Sequence, residues 1–266
     1  MKFRLFVVVV IIQTIVTACG PSQPQMAVKK IAVAEALLAK GDTVNTLLHL
    51  DSIPALYPKA LSEVRNAIQL SNRIYVSKLM AQRENLAAAN TMIDSLISEF
   101  KPEKGEFDKY TNYIHNRYGI AKTWSRSFIQ VYLNEKGDLS LTSNYYGGQW
   151  LNHTSLLVEG EGLSAKTDSV PIDNVNNHHS EFSGSKWEKV TYRGTQADKV
   201  IEMIANNVDK KLKAVFKGKS SYIIWIEEPD KKAIKAAYDL SGAIKVKAAS
   251  GNAISVLEKK IKSEEQ

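Results

Sequence analysis

The sequence predicts an α+β protein in which an N-terminal helical hairpin and a long helix precede an antiparallel β-sheet or small sandwich covered by helices. Apolar residues recur at helical spacing in the first part of the chain, and residues 59–100 contain neither Gly nor Pro. Beyond residue 120 the apolar period changes towards two, and short apolar runs alternate with turn sequences. We therefore predict a helical region at 27–100 and an α+β module at 106–266.

The first residues have the form of a secretory signal peptide. Lys2 and Arg4 precede an apolar run from Leu5 to Val16 that is interrupted only by polar residues at positions 13 and 14. A membrane-spanning helix needs about 20 apolar residues to cross about 30 Å of hydrocarbon, and this run is shorter. We therefore predict a cleaved signal peptide at residues 1–18.

The end of this segment, Val16-Thr17-Ala18-Cys19, resembles the lipobox of bacterial lipoproteins, although Leu is more usual than Val at its first position. The resemblance implies that Cys19 receives a diacylglyceryl group with palmitate-type chains and becomes the first residue of the mature protein. Ordinary secretion is the alternative, because Val16 and Ala18 also satisfy the small-residue rule for cleavage. Cys19 is the sole cysteine of the 266 residues. The fold must therefore rest on packing rather than on an internal disulfide.

The predicted location defines the predicted partners. By the same resemblance, Gly20 after the lipidated cysteine favours the outer membrane over the inner one, and the lack of a following acidic run favours the periplasmic face. Without the leader the chain has 33 basic and 28 acidic residues, a net charge of +5. Export removes nucleic acid from reach, so we predict a membrane attached through the lipid on Cys19, and an envelope protein or cell-wall polymer as partner. We predict no cofactor.

Residues 19–26 contain two prolines and no apolar period, which predicts an extended tether. Helical spacing follows from Ala27 and stops at Gly41, which is suited to a helix C-cap. A second helix is predicted from Thr43 to Leu50. This hairpin and the Tyr57-Pro58 after it resemble one tetratricopeptide unit, whereas stable arrays of that family usually need about three repeats.

The long helix at 59–100 would extend roughly 60 Å. Leu79, Leu86, Ile93 and Phe100 lie seven residues apart and form an apolar seam of coiled-coil type. Two interpretations remain open. The helix packs against the first hairpin, or it pairs with another chain as a structural coiled-coil spacer or oligomer.

The α+β module is predicted to begin with a short helix over Phe107–Ile120. A hairpin follows, in which Phe128–Leu133 and Leu139–Tyr145 flank a turn at 134–138. The remaining predicted elements are strands at Thr154–Glu159, Ser180–Phe182, Glu188–Tyr192, Lys211–Phe216 and Tyr222–Glu227, helices at Thr195–Asn207 and Pro229–Ala249, and a helical tail at Asn252–Lys262.

Catalytic and metal-binding patterns are weak. None of the five histidines forms a His-x-x-x-His pair, and no Gly-x-Ser-x-Gly elbow or phosphate-binding loop is present. Adjacent His178 and His179 would point to opposite faces of a strand, which disfavours a shared metal ion. We therefore predict no catalytic and no metal-ligating residues. The alternative is a periplasmic hydrolase, possibly metal-dependent, that uses His153, His178 or Glu181.

Aromatic residues give the best candidate for a binding face. Tyr145, Tyr146 and Trp150 surround two glycines in one loop, and Trp187 and Tyr192 follow in a predicted strand. Aromatic rings beside glycines can form a platform for a sugar or peptide, whereas a tight hairpin whose rings cover the sheet is the alternative. The sequence thus favours a membrane-anchored envelope lipoprotein with a non-catalytic binding or scaffolding role.

Overall fold

The computed structural model describes residues 21–106, 108–119 and 123–264, so the predicted signal peptide and Cys19 lie outside the described residues, as do Phe107 and Ile120. The fold is α+β, with 50% of the residues in helices and 24% in strands. The chain forms two compact units, which we call the helical unit and the α+β unit. The helical unit contains the residues up to Leu79 and those from Leu257 onward, and the α+β unit contains Met80–Val256.

The helices of the described residues are α1 (Gln23–Ala39), α2 (Thr43–Asp51), α3 (Ile53–Leu56), α4 (Leu61–Leu96), α5 (Thr195–Ala205) and α6 (Glu228–Glu264). The strands are β1 (Phe100–Glu103), β2 (Asn112–His115), β3 (Phe128–Asn134), β4 (Leu139–Gly147), β5 (Ser155–Gly160), β6 (Leu163–Lys166), β7 (Asn177–Phe182), β8 (Ser185–Tyr192), β9 (Lys213–Lys217) and β10 (Ser221–Trp225). Short 3₁₀ turns occupy Ile97–Glu99 and Asn116–Tyr118.

The helical unit contains the predicted hairpin of α1 and α2. Gly41 adopts a φ of +79° at the connection, and the carboxylate of Asp42 accepts a hydrogen bond of 3.1 Å from the N–H of Asn45. One correction concerns the tether, because α1 already begins at Gln23. Pro24 lies in its first turn, where a missing N–H costs nothing, and the Gln25 amide oxygen accepts from the N–H of Ser22.

The hairpin and the first half of α4 share an apolar core. The buried residues of this core are Ala27, Ile31, Ala34, Leu47, Leu50, Ile53, Ala60, Ala67, Ile74 and Tyr75. The interpretation that the long helix packs against the first hairpin is therefore confirmed for the part of α4 that lies in the helical unit.

The second half of α4 belongs to the α+β unit. Ile93 and Leu96 pack against the buried core there, and Phe100, the last member of the predicted seam, opens β1 instead of extending the helix. Most of the apolar surface that suggested a coiled coil is thus packed within the same chain. For this reason the unit boundary falls after Leu79 and not at the predicted break of residues 101–105.

Two antiparallel sheets form the α+β unit. One has six strands in the order β1-β2-β3-β4-β8-β7, and the other has four in the order β10-β9-β5-β6.

The sequence did not indicate β1, β2 or β6. The helix predicted over Phe107–Ile120 is wrong where the structure describes it, because Asn112–His115 pair with both β1 and β3. Pairing on both sides overrides the helical spacing of the tyrosines in this segment.

The core lies between the sheets and the helices α5 and α6. Val200, Ile201 and Ile204 of α5 are fully buried, as are Ile234 and Leu240 of α6. The predicted tail helix is continuous with α6, because a glycine such as Gly251 costs only about 1 kcal/mol in a helix. Within the described ranges, the helices lack the apolar length that a membrane span requires.

Candidate binding surface and buried polar network

Strand alternation places the five predicted aromatic residues on different sides of the six-stranded sheet. Tyr145 and Tyr192 point into the core and are only 7% and 2% exposed. Tyr146 and Trp187, one residue out of phase, are paired across β4 and β8 on the opposite face. The prediction of one surface is therefore wrong for Tyr145 and Tyr192, which are core residues.

Trp150 is also separate from the paired rings. The hydroxyl of Tyr145 donates a hydrogen bond of 3.0 Å to the carbonyl oxygen of Gln149, which folds the loop back towards the core side of the sheet. There the indole stacks on His179 with a centroid separation of 5.1 Å and an interplanar angle of 16°. The ammonium group of Lys186 lies 5.2 Å from the centre of the indole.

The face of the sheet that carries Tyr146 and Trp187 has a cluster that the sequence indicated only in part. The centroids of Tyr146 and Trp187 are 5.0 Å apart, and the indole of Trp124 lies 6.2 Å from that of Trp187. Trp124 is 68% exposed. Hydrogen bonds with the hydroxyl groups of Ser185 and Ser125 lower the pKa of Tyr146 and hold its ring in place.

A basic group lies on the same face. The ammonium group of Lys189 donates a hydrogen bond of 3.2 Å to the hydroxyl of Tyr132 and lies 5.2 Å from the centre of its ring. Because Lys189 follows Trp187 by two residues on β8, both side chains lie on the same face of the sheet and the cation lies near the paired rings. We call Trp124, Tyr132, Tyr146, Trp187 and Lys189 the aromatic surface. It offers the exposed indole of Trp124, three half-buried rings and an exposed cation.

A buried polar network occupies the other side of the sheet. The hydroxyl of Ser143 lies 2.7 Å from Nε2 of His153, and Nδ1 of His153 lies 2.7 Å from Oε2 of Glu188. The phenol of Tyr192 lies 3.2 Å from the Ser143 hydroxyl. The order serine, histidine, carboxylate is the hydrogen-bonded chain that serine hydrolases use.

Glu188 is the electrostatic centre of this network. Its carboxylate accepts hydrogen bonds of 2.6, 2.7 and 2.9 Å from the N–H groups of Leu151, Asn152 and His153. Asn152 adopts a φ of +51°, which lets successive N–H groups converge on one anion. Burial by itself would raise the pKa of Glu188, but the hydrogen bonds from His153 and Asn152 outweigh it and hold the pKa below the usual 4.5.

The ionised Glu188 fixes the direction of the hydrogen bonds. A carboxylate only accepts, so Nδ1 of His153 carries a proton and donates to it. The Ser143 hydroxyl lies within hydrogen-bond distance of both Nε2 of His153 and the phenol of Tyr192. Burial raises the pKa of Tyr192 and keeps the phenol protonated as a donor. Each side chain of this network thus has a hydrogen-bond partner, as a polar group inside a core requires.

The network has no access to solvent. Ser143 and His153 are 0% exposed and Glu188 is 1% exposed. A groove with a volume of about 630 Å³ lies elsewhere in the α+β unit, between α4, α5 and α6, and none of its lining residues belongs to the network. A substrate carbonyl therefore has no route to the Ser143 hydroxyl in this conformation.

The other residues of the predicted hydrolase are not brought together. Glu181 forms an ion pair with Lys186, and His178 is exposed, whereas His179 stacks on Trp150. Adjacent histidines thus point to opposite faces, as strand alternation predicts. In the part of the chain that the structure describes, no three His, Cys, Asp or Glu side chains lie close enough to hold a metal ion.

Sequence reasoning missed Ser143, Glu188 and Trp124. The sequence pattern did contain a signal for the first two, because each is a polar residue at a core position of an alternating strand. Ser143 lies between Leu141 and Tyr145, and Glu188 lies two residues before Val190. A carboxylate at a core position is rare unless it is paired, so its presence indicates a buried partner. Trp124 lies between elements, where no periodicity assigns it to a face.

Comparison with known proteins gives no assignment: no family model matches the chain, and searches of curated proteins and of solved structures find no match. The functional argument therefore depends on the residues themselves.

Proposed function

We propose that this chain is a lipid-anchored protein of the bacterial envelope that binds a cell-wall glycan non-catalytically through the aromatic surface. The cluster of the exposed Trp124 with the half-buried Tyr146 and Trp187 is the observation that carries the binding part of the proposal. The lipobox resemblance at Val16-Thr17-Ala18-Cys19 carries the anchoring part.

The start of α1 supports an anchor close to the folded protein. Only positions 20–22 separate Cys19 from the first residue of the helix, Gln23. An extended chain of this length reaches about 14 Å at most. The lipid would therefore hold the helical unit at the membrane surface, where a cell-wall polymer is within reach.

The chemistry of the surface favours a sugar. The apolar C–H groups of a pyranose ring can pack against an indole face, and here two indoles lie 6.2 Å apart with an interplanar angle of 49°. The ring of Tyr146 is held by hydrogen bonds, which reduces the entropy that binding would cost. Lys189 provides a cation for the carboxylates of an acidic cell-wall glycan.

Replacement of Trp187 tests the proposal. We expect Trp187→Ala to weaken binding to purified cell walls about tenfold, because the central ring of the cluster is lost. Co-sedimentation of residues 19–266, with Cys19→Ser to prevent acylation, measures the bound fraction. The matched control is Trp150→Ala, which removes an indole that stacks on His179 away from the surface. Equal binding by Trp187→Ala and the parent chain contradicts the proposal.

The buried network suggests one alternative function. In that alternative the protein is a serine hydrolase that opens to expose Ser143. The closed hydrogen-bond chain and the absence of exposed network atoms support a structural role instead. A fluorophosphonate probe separates the two, because it labels a serine that an imidazole activates. We expect no label on Ser143, whereas labelling that Ser143→Ala abolishes supports the hydrolase.

A further inference from the structure

The four-stranded sheet has an open edge at β10. Within the described residues β10 pairs only with β9. The N–H of Gly218 bonds to the carbonyl of Ser220, and that of Ile226 bonds to the carbonyl of Leu212. Hydrogen-bonded pairs alternate along an antiparallel ladder. The N–H and C=O groups of the intervening residues, Ser221, Ile223 and Trp225, therefore point away from β9 towards the open edge.

This edge lacks the features that usually prevent pairing. Ser221–Trp225 contains no proline and no charged residue. Ile223 is 54% exposed and Trp225 is 64% exposed, and both lie on the face of the sheet that points away from the core. An open ladder flanked by exposed apolar side chains is suited to accept an extended strand.

We propose that the occupant is β10 of a second copy of this chain, in a twofold antiparallel pair centred on Ile223. This register places Ile223 opposite its own counterpart and Ser221 opposite Trp225 of the second copy. About six main-chain hydrogen bonds then close the edge. The exposed side chains of Ile223 and Trp225 from both copies lie on one face and cover each other. The pair joins two four-stranded sheets into one continuous sheet.

Charge complementarity selects a second copy as the occupant. The exposed Lys219 lies in the turn just before β10 and Glu227 lies just after it, so antiparallel pairing brings the lysine of each copy to the end of the strand where the other copy has its glutamate. Glu227 is held in place by Arg117 and Arg126, yet its side chain is 54% exposed. Two opposite-charge pairs at the ends of an apolar strand fix both the direction and the register.

Site-specific disulfide formation tests this register. The chain with Cys19→Ser contains no other thiol, so Ile223→Cys supplies a single thiol at the twofold axis. Directly paired residues have Cα atoms about 5.5 Å apart, which suits a disulfide. We expect mild oxidation to crosslink Ile223→Cys into a covalent dimer. Ser221→Cys and Trp225→Cys should remain monomeric, because each lies about 14 Å from its own counterpart.

The control is Val175→Cys, which places a thiol at an exposed loop position. Its extent of crosslinking gives the background from random collision. Equal crosslinking at positions 221, 223 and 225, or no more at 223 than at 175, overturns the proposal.

Sedimentation velocity provides a second test without cysteines. We expect residues 19–266 with Cys19→Ser to show a concentration-dependent equilibrium between monomer and dimer. Lys219→Glu should raise its dissociation constant about tenfold, because it places two like charges opposite each other twice. Lys166→Glu makes the same change on β6, at the other edge of the sheet, and should leave the constant unchanged. A parent chain that stays monomeric at all concentrations overturns the proposal. Binding to cell walls is measured separately, so either proposal can fail without the other.

Discussion

Cells that produce the Cys19→Ser variant are expected to accumulate uncleaved precursor that carries no fatty acid. The proposed lipidation needs the thiol of Cys19 twice, first as the acceptor of the diacylglyceryl group and then as the residue before which the predicted signal peptide is removed. A serine hydroxyl cannot replace it, so the effect is a complete loss of processing. Labelling with radioactive palmitate, followed by electrophoresis of membrane and soluble fractions, measures both properties.

Thr17→Ser provides the matched control, because it changes the tolerant position of the lipobox and leaves the thiol intact. This control should be labelled and processed like the parent chain. Normal processing of Cys19→Ser would show that an ordinary secretory signal, with cleavage after Ala18, accounts for the same residues.

Glu188→Ala is expected to destabilise the α+β unit by about 3–5 kcal/mol. The carboxylate accepts from three backbone N–H groups and from His153, and it is 1% exposed. Its removal leaves these donors without acceptors inside the core, which costs more than the hydrogen bonds contributed. Urea denaturation followed by far-UV circular dichroism gives the change in unfolding free energy.

Glu181→Ala is the matched control in the neighbouring strand β7. Its carboxylate pairs with Lys186 but is 49% exposed, so its loss should change the unfolding free energy by less than about 0.5 kcal/mol. A Glu188→Ala variant as stable as Glu181→Ala would show that the network does not support the fold.

Acid should remove the contribution of Glu188 in a defined range. The pKa of Glu188 is lower in the folded protein than the ordinary value of 4.5. Its stabilising contribution is therefore complete above about pH 4.5 and is lost as the pH falls through the folded pKa. We expect the unfolding free energy of the parent chain to decline more steeply below this pH than that of Glu188→Ala. Parallel pH profiles of the two proteins would contradict this assignment.

Local signals in the sequence predicted much of the architecture. The glycine and aspartate at the end of α1, the turn between β3 and β4, and the amphipathic face of α5 depend on neighbouring residues, and they were predicted correctly. The predictions failed where distant pairing decides the structure. Residues 112–115 form a strand because β1 and β3 flank them, and no residue within the segment encodes those neighbours.

The candidate sites show the same division. The opposite faces of Tyr145 and Tyr146 follow from strand alternation and could have been predicted. The convergence of Leu151, Asn152 and His153 on Glu188 could not, because the loop and its anion are about 35 positions apart and meet only through β4 and β8. Trp124 reaches Trp187 from a segment without periodicity. Patterns of neighbouring residues carry no information about either contact.

The measurement that most directly tests the proposed function is a fluorescence titration with soluble glycan chains released from purified cell walls. Residues 19–266 with Cys19→Ser contain two tryptophans in the aromatic surface, Trp124 and Trp187, so a bound sugar should alter their emission. We predict a saturable change whose midpoint Trp187→Ala shifts to about tenfold higher glycan concentration and Trp150→Ala leaves in place. The absence of a saturable change, or an unchanged titration of Trp187→Ala, would contradict the assignment of this surface to glycan binding.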